Sequence, residues 1–151
     1  MVGIVDYGVG NLFSLKSSFK YIGESAELVS DEESIMACDR LILPGVGAFG
    51  DAAEALKKTG LGEVVKRFAE SGKPLMGICL GMQLLFEKGL EFGEHEGLGL
   101  IPGTVVAISP LVNRNKVPQI GWNSLIFTET KGDIYKNTNN ETKIREHAKV
   151  I

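Results

Sequence analysis

From the N-terminus, short apolar runs alternate with stretches whose apolar residues recur every three or four positions. Residues 2–5, Val-Gly-Ile-Val, read as a buried strand and residues 6–10 as a turn. Across residues 11–22, Leu12, Leu15, Phe19 and Ile22 keep the spacing of one helical face. Residues 26–29 form a second predicted strand. Ser30-Asp31-Glu32-Glu33 then supplies an N-cap and an acidic first turn, the usual chemistry of a helix start. The third predicted strand, residues 40–43, is closed by Pro44, and helices follow over 49–58 and 61–70, split at Gly60. A fourth strand over 74–78 leads into a helix from about Cys79 to Glu87. Strands and helices alternating over short links predict an α/β fold: a doubly wound, mostly parallel sheet with helices on both faces.

Beyond residue 97 the pattern changes. Residues 104–108 and 124–127 read as strands with no helix between them, and 128–151 is polar and poorly periodic. With no internal repeat and no linker, residues 1–151 are expected to form a single domain whose C-terminal part is incomplete.

Composition narrows the class. Hydrophobic residues make up 44% of the 151 positions and charged residues 23%, as in an ordinary globular chain. The net charge of −3 argues against a nucleic-acid or anionic-membrane partner, which calls for a basic patch. No apolar run approaches the length of a membrane span, and the first residues carry neither a charged leader nor a cleavage site, so no signal peptide is expected. Two cysteines, Cys38 and Cys79, do not make a disulfide framework, which points to a reducing cytoplasm. The 19 glycines exceed the usual ~7% and fall at element junctions, as tight strand-to-helix turns require.

One of those junctions carries chemistry. Gly77-Ile78-Cys79-Leu80-Gly81 is the cysteine counterpart of the G-x-S-x-G nucleophile elbow. A sharp turn from strand to helix lifts the side chain clear of the sheet, at the carboxyl end of a strand where open α/β sheets place their sites. The unpaired N–H groups of the following helix favour the thiolate. Cys38, in Ile-Met-Ala-Cys-Asp-Arg, lacks flanking glycines and reads as a small buried hydrophobe.

A second junction is ambiguous. Gly45-Val46-Gly47-Ala48-Phe49-Gly50 matches the dinucleotide fingerprint G-x-G-x-x-G between a strand and a helix. The fingerprint calls for an acidic residue about 20 positions on, at a strand end. Glu63 and Glu70 fall in helical text instead. The other reading is an oxyanion-stabilising loop that turns backbone N–H groups toward a developing negative charge. Asp6-Tyr7-Gly8-Val9-Gly10-Asn11 reads by itself as turn chemistry, and Trp122 in Gly121-Trp122-Asn123 as a core residue. His95 reads as a solvated loop residue, and His147 as a residue of a possible helix face. Neither has a metal-ligand pattern around it, so no metal site is expected.

Taken together, residues 6–11, 43–50, 77–86 and 121–123 resemble the glutaminase subunits of imidazole glycerol phosphate synthase, class I glutamine amidotransferases of histidine biosynthesis. The likeness covers about residues 1–127, with 128–151 as a divergent tail. It implies an enzyme without a cofactor that hydrolyses L-glutamine to glutamate through a cysteine thioester. The ammonia passes to a (β/α)₈-barrel cyclase partner, which forms imidazole glycerol phosphate and an aminoimidazole carboxamide ribotide. It also implies Cys79 as nucleophile, and Gly45, Val46 and Gly47 as an oxyanion strand with the Leu80 N–H as second donor. Gln83 and Gly47 would face glutamine, and Asn11 and Trp122 would face the cyclase. The His-Pro-Glu stretch that supplies the family's base has no counterpart, since the chain contains no His-x-Glu. Gln119 stands where the family commonly has histidine. The alternative expectation is therefore a truncated, non-catalytic protein that docks on the cyclase.

Overall fold

The computed structural model describes residues 1–108 together with two backbone strands, Gln119–Ser124 and Lys143–Ala148. Contacts divide the chain into two compact units, Met1–Ala107 and Ile108–Ile151.

The first unit is built on a parallel sheet. Strands β1 (Val2–Val5), β2 (Ala26–Val29), β3 (Arg40–Leu43) and β4 (Leu75–Gly77) lie in the order β2-β1-β3-β4, every pair parallel. Both faces of such a sheet must be covered, so its strands read as near-continuous apolar runs. Alternate residues feed two cores. Val5, Val29, Leu41 and Leu43 pack with α2 (Glu32–Ala37), α3 (Phe49–Thr59) and α4 (Leu61–Glu70), where Phe49 and Phe68 are fully buried. Burying each such ring contributes about 1.5–3 kcal/mol. Ile4, Ala26 and Ile42 face the other way, toward α1 (Leu12–Tyr21). The apolar face of α1 is as expected, but Leu12, Leu15 and Phe19 are only half-buried and Ile22 is 66% exposed.

The ends of these helices follow from local chemistry. Asp31 caps α2, accepting the Ser34 N–H at 2.9 Å. The same side chain also takes the Ser34 hydroxyl at 2.6 Å, and these bonds hold its carboxyl below the usual carboxylate range. Gly60 breaks α3 from α4 with φ +71°, a left-handed conformation open to glycine.

Two expectations need correction. The helix predicted from Cys79 to Glu87 is a single turn, α5 (Leu80–Gln83). The Leu84 carbonyl accepts the Leu98 N–H at 2.7 Å, and the Leu85 carbonyl accepts Leu100 at 2.8 Å and Ile101 at 2.9 Å. The returning chain thus takes the carbonyls that a continuing helix would use, and residues Phe86–Gly89 become β5. A second sheet forms from β6 (His95–Glu96), β5 and β7 (Ile101–Val105), in that order. The strand predicted over 104–108 is therefore displaced. Its ladder begins at Phe86 opposite Ile101, and an irregularity at Phe86/Lys88 admits one extra residue near Gly103, whose φ is +128°.

In the second unit, β8 (Gln119–Ser124) and β9 (Lys143–Ala148) pair antiparallel. Trp122 stands opposite Arg145 and Ile120 opposite His147. His147 thus lies in a strand, where a helix face was considered. Of the strand expected at 124–127, only Ser124 falls within β8, and residues 125–127 lie outside the described residues.

Candidate active site

The candidate site is formed where β3 and β4 end side by side. The Leu43 carbonyl accepts the Ile78 N–H at 3.0 Å, so both strands release their chains at the same edge. Just past that bond, Cys79 takes φ +56° and ψ −118° and serves as N-cap of α5. Such a conformation costs a residue with a Cβ about 1–3 kcal/mol and persists only where the surroundings enforce it. Here the enforcement comes from both flanks. A Cβ on Gly77 would lie 2.6 Å from the Met82 nitrogen, and one on Gly81 would overlap the Leu43 carbonyl oxygen. Only glycines let the turn fold this tightly. The result is a free, exposed thiol at the carboxyl edge of the sheet. Leu80, the first residue of α5, has an N–H with no intrahelical acceptor.

The glycine-rich stretch lies against that elbow. A Cβ on Gly45 would fall 2.6 Å from the Gly81 nitrogen and 2.9 Å from Leu80 Cβ, so the Gly45 backbone rests directly on the start of α5. The next two residues face outward: Val46 is 51% exposed, and Gly47 has φ +95° with open space where a Cβ would stand. A Cβ on Gly50 would crowd the His95 ring, standing 2.6 Å from its Cε1. The third glycine of the G-x-G-x-x-G pattern thus accommodates a histidine of β6. His95 is half-buried there and not a solvated loop residue. Gln83 is half-buried at the end of the elbow turn.

Three side chains to which the sequence assigned no part in the site shape this region. Tyr7, 3% exposed, donates its hydroxyl to the Pro44 carbonyl at 2.7 Å, and burial pushes the phenol well above its ordinary range. Glu91 accepts the Phe49 N–H at 2.8 Å and so caps α3, whose N-cap residue, Ala48, makes no side-chain cap bond. Its other oxygen, Oε1, is buried without a partner among the described residues. His95 is the third. The Asp-Tyr-Gly text gave Tyr7 a turn role, but no local pattern pairs a residue with a carbonyl 37 positions away.

The remaining expected residues lie apart. Asn11 is exposed and caps α1, its Oδ1 accepting the Ser14 N–H at 3.2 Å. Trp122 and Gln119 lie on β8, and their side chains are outside the described residues. Cys38 is fully buried, with its thiol directed at the Ser34 carbonyl at 3.2 Å, and burial pushes that thiol up. Among the described residues no cluster of three or more His, Cys, Asp or Glu side chains could hold a metal, and no helix is long and apolar enough to cross a membrane.

A strained cysteine between two sterically required glycines, with a glycine strand against it, has the backbone geometry of a strand-to-helix elbow on an α/β sheet. Comparison with known proteins gives that site a family. The description glutamine amidotransferase class-I matches residues 3–151. The chain belongs to the class-I glutamine amidotransferase family. It is similar to imidazole glycerol phosphate synthase subunit HisH 1 of Legionella pneumophila (strain Lens), with 53% identity over 135 residues, covering 87% of this chain and 63% of that protein. It is similar also to imidazole glycerol phosphate synthase subunit HisH of Sulfurimonas denitrificans, with 53% identity over 131 residues, covering 85% of this chain and 63% of that protein. The chain therefore spans 63% of the length of either relative. A solved structure described as a glutamine amidotransferase shares the fold at a TM-score of 0.65 and 22% identity, over 82% of this chain and 62% of its own.

Proposed function

We propose that this chain acts as the glutaminase subunit of imidazole glycerol phosphate synthase, using Cys79 to take ammonia from L-glutamine. The observation that carries this reading is the positive φ of Cys79 in a turn that tolerates only glycine at 77 and 81. The names of its relatives, both imidazole glycerol phosphate synthase subunits, support the choice of complex.

In the proposed reaction the Cys79 thiolate attacks the carboxamide carbon of glutamine, and the C=O electron pair moves onto oxygen. The resulting oxyanion is met by backbone N–H groups of the Gly45-Val46-Gly47 strand and of Leu80. Collapse breaks the C–N bond, and the nitrogen leaves as ammonia after taking a proton. Water then attacks the γ-glutamyl thioester, releasing glutamate and restoring the thiol. Oxyanion donors of this kind are worth about 10²–10³ in rate. Gln83 and Gly47 would hold the substrate's amino-acid end. No cofactor or metal enters these steps. The 151-residue sequence holds no His-x-Glu stretch, and none of the residues described is assigned as the base.

The partner in this reading is a (β/α)₈-barrel cyclase that consumes the ammonia, and Asn11 and Trp122 are each proposed to contact it. A reducing cytoplasm suits a protein whose two cysteines are both free. Adding this chain to a purified cyclase subunit tests the proposal. Glutamine should then support formation of imidazole glycerol phosphate, with ammonium salt added to the cyclase as the control. Cys79→Ala should abolish the glutamine-dependent product and leave the ammonium-dependent product unchanged. Glutamine-dependent product that survives Cys79→Ala would overturn the proposal.

A further inference from the structure

Helix α3 and the hairpin of β5 and β6 meet through two rings, each seated on a glycine of the other. The Phe49 ring lies on Gly89 of β5, where a Cβ would fall 2.6 Å from its Cγ. The His95 ring of β6 lies on Gly50 of α3, where a Cβ would fall 2.6 Å from Cε1 and 2.7 Å from Nε2. Gly89 and His95 are register partners across the hairpin, and Phe49 and Gly50 are neighbours in the chain, so the two contacts form one clasp. A glycine within a helix is less favourable than alanine, and the His95 ring explains why one stands at position 50.

Beyond the clasp the chain turns from β5 to β6 through residues 90–94 in a strained conformation. Phe92 has φ +54° and Gly93 φ +133°. A bulky residue in the left-handed region persists only where its surroundings enforce it. The Phe92 side chain does not supply the enforcement, since it is 85% exposed. The same turn carries Glu91, whose Oε2 accepts the Phe49 N–H at 2.8 Å while Oε1 is buried without a partner among the described residues. A carboxylate oxygen buried in this way calls for a donor. L-glutamine brings one in its ammonium group.

We propose that His95 is a positioning residue for that carboxylate: wedged on Gly50, it holds the turn 90–94 so that Glu91 presents Oε1 to the substrate's ammonium group. This rests on the glutaminase reading, and concerns how glutamine is held rather than the chemistry at Cys79. Phe49 follows directly on the stretch 45–48, so the carboxylate bonded to its N–H stands beside the candidate site. Two anchors then fix the turn against one helix end. The bond to Phe49 holds one oxygen of Glu91, and the His95 ring holds the returning strand. The Lys88–Glu94 ion pair, at 3.1 Å, spans the same turn but is exposed and adds little. Without the ring, Phe92 relaxes out of the left-handed region and carries Glu91 with it. The contact of His95 with Gly50 is one of shape, so another flat ring should serve.

The test compares glutamate release with alkylation of Cys79 by iodoacetamide, in the full chain with the cyclase subunit present. His95→Ala should raise KM for glutamine by roughly tenfold, less than the outright loss of a hydrogen bond to a charged group. Its kcat should stay within about twofold and its alkylation rate should be unchanged. His95→Phe should return KM to within about twofold of the parental value. Gly50→Ala drives a methyl into the ring and should raise KM likewise. Added to His95→Ala, it should raise KM no further, because residues in contact do not act additively. Parental KM in His95→Ala would overturn the proposal. So would a loss confined to kcat, a parallel change in alkylation, no recovery in His95→Phe, or multiplied losses in the double variant. A parental chain that releases no glutamate from glutamine would instead overturn the glutaminase reading, and the positioning role with it.

Discussion

Gly45 and Gly81 meet backbone to backbone: a Cβ on Gly45 would stand 2.6 Å from the Gly81 nitrogen. This approach joins two turns that lie far apart in sequence and brings the glycine strand to the elbow. It turns two suggestive motifs into one site.

The glycines of that site should therefore not be equivalent. Gly81→Ala drives a methyl into the Leu43 carbonyl and should destabilise at or above the upper end of the ~1–3 kcal/mol typical of overpacking. Gly45→Ala should fall within that range. Gly47→Ala, with open space but φ +95°, should cost only the backbone strain, about 1 kcal/mol. Urea unfolding of the three variants checks the order. A Gly81→Ala protein as stable as Gly47→Ala would contradict the packing described.

Much of this was readable from the chain. Strands 2–5, 26–29 and 40–43 coincide with β1, β2 and β3, because a parallel sheet buried on both faces writes itself as continuous apolar runs. The break at Gly60 was equally plain. The end of α5 was not. Leu84 keeps helical spacing with Leu80, yet the carbonyls of Leu84 and Leu85 are taken by residues 98, 100 and 101, a long-range choice with no local signal. Within the site, Cys79 and the Gly45–Gly47 stretch announce themselves by motif. Tyr7 and Glu91 do not, since each acts through a single bond to a distant backbone atom.

The strain at Cys79 has a measurable consequence. At φ +56° a glycine relaxes what any side chain must bear. Cys79→Gly should be more stable than Cys79→Ala by about 1 kcal/mol or more. Thermal or urea melts of the two variants compare them directly. Equal stability would mean that the elbow turn is not strained.

The two thiols should differ sharply in reactivity. Cys79 is exposed, and Cys38 is sealed beneath β1, where a Cβ on Gly3 would already touch its sulfur at 2.5 Å. Alkylation of Cys38 must await local opening and should be on the order of a hundredfold slower. Burial raises the Cys38 thiol above its ordinary range. Its protonated form therefore contributes stability that is full below the unfolded thiol's titration and declines as pH rises through the folded one. Peptide mapping after brief iodoacetamide treatment at neutral pH reads the ratio. Equal labelling of Cys38 and Cys79 in folded protein would contradict these burial assignments.

The most direct measurement is the mass of the intact protein after brief exposure to L-glutamine, with the cyclase present. The account predicts a transient gain of one γ-glutamyl acyl group on Cys79, accompanied by ammonia release and absent in Cys79→Ala. An adduct at another residue would contradict the account. Ammonia release that persists without Cys79 would contradict it equally.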